Sequence, residues 1–64
     1  MNYYLVEYKR IAGKRIDRLR FFKEKEANEY FEKTVKREDV VSVEIYYVND
    51  TKFGEAIRKY AKQN

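Results

Sequence analysis

Few side chains in this chain of 64 residues can make or break bonds. It has no His and no Cys, so neither a nucleophile–imidazole pair nor a zinc cluster of those ligands can be assembled. The one Ser, Ser42, stands in an apolar run with no imidazole to activate it. Carboxylates come close in sequence as Glu24 with Glu26 and as Glu38-Asp39. Each pair lies among Lys and Arg at an expected helix end, where solvation is expected rather than proton transfer. Two Gly cannot build a phosphate-cradling loop, and no spacing of oxygen ligands fits a metal loop. The expectation is therefore a protein that is not an enzyme and uses no cofactor and no metal.

What remains is binding chemistry, and its charge is segregated. Residues 9–25 hold Lys9, Arg10, Lys14, Arg15, Arg18, Arg20, Lys23 and Lys25 against Asp17 and Glu24, a local +6 in a chain whose formal charge is +4. Arginines beside aromatic rings on an exposed sheet can neutralise phosphates and stack on bases. The candidate binding surface is Arg10, Lys14, Arg15, Arg18, Arg20, Tyr3 and Tyr46. A plainer reading stands beside it. Glu7 opposite Arg18 would neutralise it as a cross-strand pair, and Arg10, Lys14 and Arg15 would form a solvated turn. The glycine-aromatic signature of an RNA-recognition sheet is missing.

The elements that must position these residues follow from periodicity. Residues 2–10 and 15–22 are rich in Tyr, Val, Ile, Leu and Phe and predict two strands, with Ala12-Gly13 as the turn. That turn sets Tyr4 opposite Phe21, Val6 opposite Leu19 and Tyr8 opposite Asp17. On the other face it sets Leu5 opposite Arg20, Glu7 opposite Arg18 and Lys9 opposite Ile16. Residues 23–37 predict a helix, since Ala27, Tyr30, Phe31, Thr34 and Val35 make one stripe. Residues 40–48 predict a third strand, with Val41, Val43, Ile45 and Tyr47 on the core face. Residues 51–62 predict a second helix, capped by Asp50 or Thr51, with a stripe of Phe53, Ala56, Ile57, Tyr60 and Ala61.

The fold expected is α+β, ββαβα, as one domain. Its sheet has three antiparallel strands in the order 2-1-3, with the first helix on one face and a C-terminal helix of open placement. Strand 40–48 would then be a long apolar edge. If the C-terminal helix crosses the second face, Tyr3, Leu5 and Tyr46 become a second small core. Otherwise Val40, Val48, Phe53, Ile57 and Tyr60 form a candidate dimer or partner surface. A domain this small, without disulfides, gains from self-association.

Tyr4, Gly13, Phe22, Ala27, Phe31, Val41, Val43 and Ile45 carry a pattern over residues 2–48 that resembles short ββαβ proteins of bacteria and their phages. Every one is a fold position, so the resemblance implies architecture and no catalytic or binding residue. It also implies a phage or mobile-element protein that binds one macromolecule. The N-terminal segment has no basic region ahead of its apolar stretch, and its longest uncharged run is residues 1–6. No secretory signal or membrane span is expected, and a cytoplasmic location is. The function expected is a small non-enzymatic protein-binding module, homodimeric, with binding of nucleic acid through the basic first hairpin as the alternative.

Overall fold

A computed structural model describes residues 2–13, 15–50 and 52–62, and of Phe53 its backbone alone. The elements are β1 (Asn2–Arg10), β2 (Ile16–Phe21), α1 (Glu24–Val35), β3 (Val40–Asn49) and β4 (Lys52–Ala61). They form a four-stranded antiparallel sheet in the order β2-β1-β3-β4, with α1 across one face.

The first hairpin forms where the alternation of its residues demands. Tyr4 pairs with Phe21, Leu5 with Arg20, Val6 with Leu19, Glu7 with Arg18, Tyr8 with Asp17 and Lys9 with Ile16. Gly13 in the connection has φ +113°, a conformation that L side chains rarely adopt. The helix follows with Lys23 at its N-cap and no side-chain cap. Glu24 and Glu26 in its first turn and Lys33 in its last complement the helix dipole instead. Its stripe buries Ala27, Phe31 and Thr34, and Tyr30 and Val35 pack against the same core. Thr34 satisfies its buried hydroxyl by donating to the Tyr30 carbonyl at 2.7 Å.

Beneath the helix lie Val6, Tyr8, Val43 and Ile45, with Val6, Val43 and Ile45 sealed from solvent. β1 and β3 are the two central strands, which is why the buried residues concentrate there. The register between them slips once, since Lys9 pairs with Ser42 but Arg10 with Val40. The bulge turns Val40 into the core, where it is 1% exposed, and leaves Val41 38% exposed. Strict alternation from Val43 assigns these two valines to the opposite faces.

The expected C-terminal helix and three-stranded sheet are overturned. Residues 52–61 form a fourth strand beside β3, so β3 is an interior strand and no edge. Two irregularities explain why the segment looks helical. Phe53 pairs with Val48, Ala56 with Tyr46 and Lys59 with Glu44, so residues three apart fall on one face where a regular strand requires two. Each bulge adds one residue, and two in a row reproduce the spacing of a helical stripe. Of the two residues expected as a helix cap, Thr51 lies outside the described residues, and Asp50 takes φ 57° just after Asn49, which pairs with Lys52. Pairing also satisfies the long apolar edge that a three-stranded sheet would leave bare.

Arg58 ties the new strand to the helix. Its guanidinium lies 4.2 Å from the centre of the Phe31 ring, donates to Asn28 Oδ1 at 2.8 Å and to Glu32 Oε1 at 2.6 Å. At the far end of the sheet Ile11 N–H donates to the Asp39 carbonyl, and Lys62 N–H to the Val41 carbonyl, both at 2.7 Å. Arg37 closes that end, binding Asp39 through Nε at 2.9 Å and Nη2 at 2.7 Å while lying over the Tyr8 ring.

Candidate functional site

Among the described residues, no element crosses the sheet face opposite α1. The four strands bring their residues there in rows. One row runs Arg18, Glu7, Glu44, Lys59 from edge to edge, and its neighbour runs Arg20, Leu5, Tyr46, Ala56. The first row carries charges in the order plus, minus, minus, plus. Two glutamates face each other directly across β1 and β3, a destabilising juxtaposition unless cations flank it. They do. Arg18 Nε donates to Glu7 Oε1 at 2.9 Å, and Lys59 sits opposite Glu44. Tyr46 adds its hydroxyl, donating to Glu44 Oε1 at 2.8 Å. That acceptance by a carboxylate, with burial and the nearby Glu7 charge, pushes the Tyr46 phenol above its ordinary pKa.

The second row is apolar at its centre. Leu5 is 7% exposed, and Val48, one row further along, is 2% exposed. Over this end lies Tyr3 with the Arg20 guanidinium 4.6 Å from its ring centre. Among the described residues Arg20 forms no ion pair, so its charge is held in place by a ring without being neutralised. A groove of about 440 Å³ runs beside Tyr46, lined by Glu55, Ala56 and Lys59.

The basic residues of the sequence do not form one surface. Arg18 and Arg20 stand side by side on the open face with Tyr3, and Tyr46 lies two strands away on the same face. Arg10 belongs to the other face and pairs with Asp17, Nε to Oδ2 at 2.8 Å. Arg15 is exposed at the hairpin end, in a cleft of about 310 Å³ with Lys9, Arg10, Gly13 and Val41. Lys14 lies outside the described residues.

The residues expected as a dimer or partner surface are dispersed too. Val40 and Val48 are buried and present no side-chain surface. Tyr60 packs against the core under the helix, because β4 lays it beside Val43. Ile57, at the bulge, is 47% exposed, and the Phe53 side chain lies outside the described residues. Glu44 is expected on this face as the partner of a lysine or arginine. That partner, Lys59, is what the sequence reading misses, because its signal lies in the β3–β4 pairing, which a helical reading of the C-terminal segment hides.

Among the described residues no group of three or more Asp or Glu converges as metal ligands would, and no helix is long and apolar enough to cross a membrane. Comparison with protein-family models, with curated proteins and with solved structures finds no match to this chain.

Proposed function

We propose that this chain is a small, non-enzymatic protein-binding module that engages its partner with the sheet face opposite α1. The observation that carries the reading is the makeup of that face: Tyr3, Arg20 and Tyr46 standing over the buried Leu5 and Val48, beside a charged row with both signs. Tyr and Arg are the residue types enriched at protein interfaces, and fixed charges of both signs select partners and set register.

The same row weighs against a nucleic-acid backbone on this face. Glu7 and Glu44 stand at its middle, where a line of phosphates would meet two carboxylates. Pairing of β4 with β3 removes two grounds for self-association, the bare β3 edge and the amphipathic C-terminal helix, and leaves only the small size of the domain; the partner proposed is therefore a different protein. The reading includes a cytoplasmic setting, in keeping with a chain that has no cysteine to oxidise.

The test is affinity capture with the full chain and with an Arg20→Glu, Tyr46→Ala variant, each with and without nuclease. A protein retained by the wild type, lost with the variant and indifferent to nuclease supports the reading. Retention of nucleic acid alone, or of the same proteins by both forms, overturns it. Circular dichroism of the variant guards against mere unfolding.

A further inference from the structure

The two edges of the sheet are built differently. β4 is ten residues long but carries two bulges. Along it run Lys52, Glu55, Arg58 and Lys59, with Arg58 bent away onto the helix. Bulges and mixed charge are the devices by which edges are closed to another strand. β2 is six residues long, and it pairs with β1 without a slip from Ile16 opposite Lys9 to Phe21 opposite Tyr4. Among the described residues β2 pairs with β1 alone and stands at the edge of the sheet, so the N–H and C=O groups of its other side face outward along an unbroken register.

The rows that cross the sheet end unevenly on that side. On the helix face one row runs Leu19, Val6, Ile45, Arg58. Val6 and Ile45 are fully buried, Arg58 closes one end over Phe31, and Leu19 at the other end is left 41% exposed. Tyr30 covers its neighbour Phe21 instead, with ring centres 5.4 Å apart. On the open face the rows end in Arg18 and Arg20, two residues apart on the same strand. Arg20 is the cation held over Tyr3, with no carboxylate partner among the described residues. The charge of the molecule points the same way. α1 has Lys25 and Lys33 against Glu24, Glu26, Glu29 and Glu32, a net −2, so the rest of the chain holds +6 of the overall +4.

We propose that β2 is the docking edge for an extended acidic segment of a partner protein, which adds as a fifth strand with alternating carboxylate and apolar side chains. This rests on the protein-binding reading and names the partner's chemistry. A strand laid beside β2 turns every second side chain to each face. On one face its carboxylates meet Arg20 and Arg18, the latter now shared with Glu7. On the other its apolar side chains cover Leu19 and extend the row begun by Val6 and Ile45. The same arginines discriminate against a second copy of this chain. Pairing β2 on β2 about Leu19 would set Arg18 opposite Arg20 twice, a like-charge contact.

The test uses the whole chain, isotopically labelled, and a blocked peptide of about eight residues alternating Glu and Val, long enough to span β2. Amide shifts and slowed amide exchange should appear across Ile16–Phe21. Arg20→Glu should weaken binding about tenfold, as should the peptide with Lys in place of Glu. Methylating alternate peptide nitrogens on the edge-facing side should abolish it, because the backbone bonds are then lost. Leu19→Asp, at a site already open to solvent, gives a second variant that leaves the core intact. Protection along β4, shifts on the open face without protection of β2 amides, or no response to the Glu–Val peptide overturns the proposal. Open-face shifts alone would leave the protein-binding reading standing. That reading fails by its own capture experiment, whatever this peptide does.

Discussion

Replacing Arg58 with alanine should cost far more than an exposed arginine usually does. Its guanidinium stacks on Phe31 at 4.2 Å, an interaction of about 0.5–1 kcal/mol at a partly exposed site. The bond to Asn28 Oδ1, charge-assisted on the donor side, contributes about 1.5 kcal/mol. The ion pair with Glu32 adds less, about 0–1 kcal/mol, because its side chains are 40% and 56% exposed. Together the loss is about 2–3 kcal/mol. A chain of this length has roughly 3–10 kcal/mol in all, so the variant sits near the edge of folding. Thermal unfolding followed by circular dichroism should show a midpoint lowered by about 10–20 °C. Double-mutant cycles with Asn28→Ala and Glu32→Ala apportion the effect, and only the Glu32 coupling should shrink in about 1 M salt. A loss below about 0.5 kcal/mol, the range of ordinary surface substitutions, would refute the claim that Arg58 fastens β4 to the helix. So would a loss that vanishes entirely in salt.

Two further outcomes follow from local geometry. Gly13→Ala should destabilise by about 1–2 kcal/mol purely through its backbone, since φ is +113° and nothing lies within 4 Å of an added Cβ. Gly54→Ala, whose Cβ would meet the Tyr47 carbonyl at 3.3 Å, should cost less because an edge strand can shift by tenths of an ångström; urea titration of both ranks them. Acid should loosen the end of the sheet near Asp39. The two hydrogen bonds from Arg37 hold its carboxyl below the ordinary aspartate value, so its contribution is complete above that value and is lost as pH falls through the depressed one. Carboxyl shifts followed by NMR should place the Asp39 midpoint higher in Arg37→Gln than in the wild type, and equal midpoints would sink the assignment.

The sequence was legible where alternation runs unbroken. β1 and β2 pair in the register that Ala12-Gly13 dictates, because a one-residue slip would turn Val6 and Tyr8 out of the core. The helical stripe was legible for the same reason, since Ala27, Phe31 and Thr34 recur at a helical period and meet one surface. Bulges hid the rest. One exchanged the faces of Val40 and Val41, and two made Phe53, Ala56 and Lys59 share a side at a spacing of three. A period-two template cannot see an inserted residue, and a period-3.6 template accepts it. The turn signal at Asn49-Asp50 was present, but an Asp that can take a positive φ is also a good helix cap. For the site, the opposition of Glu7 and Arg18 was legible in one hairpin. The second carboxylate and its lysine come from strands 37 and 52 residues further on, whose placement no local pattern fixes.

The strand order carries a kinetic consequence. β2 and β4 each lie beside the strand next to them in a local hairpin, whereas the central β1–β3 pair joins residues tens of positions apart, such as Val6 with Ile45. Hairpins close in microseconds on their own, while distant pairing must first meet the entropy of closing the chain between. Folding is therefore expected to be limited by the meeting of the two hairpins along β1 and β3, with α1 as the tether between them. Once they have met, each outer strand can fray and reseal without parting the seam that holds Val6 against Ile45.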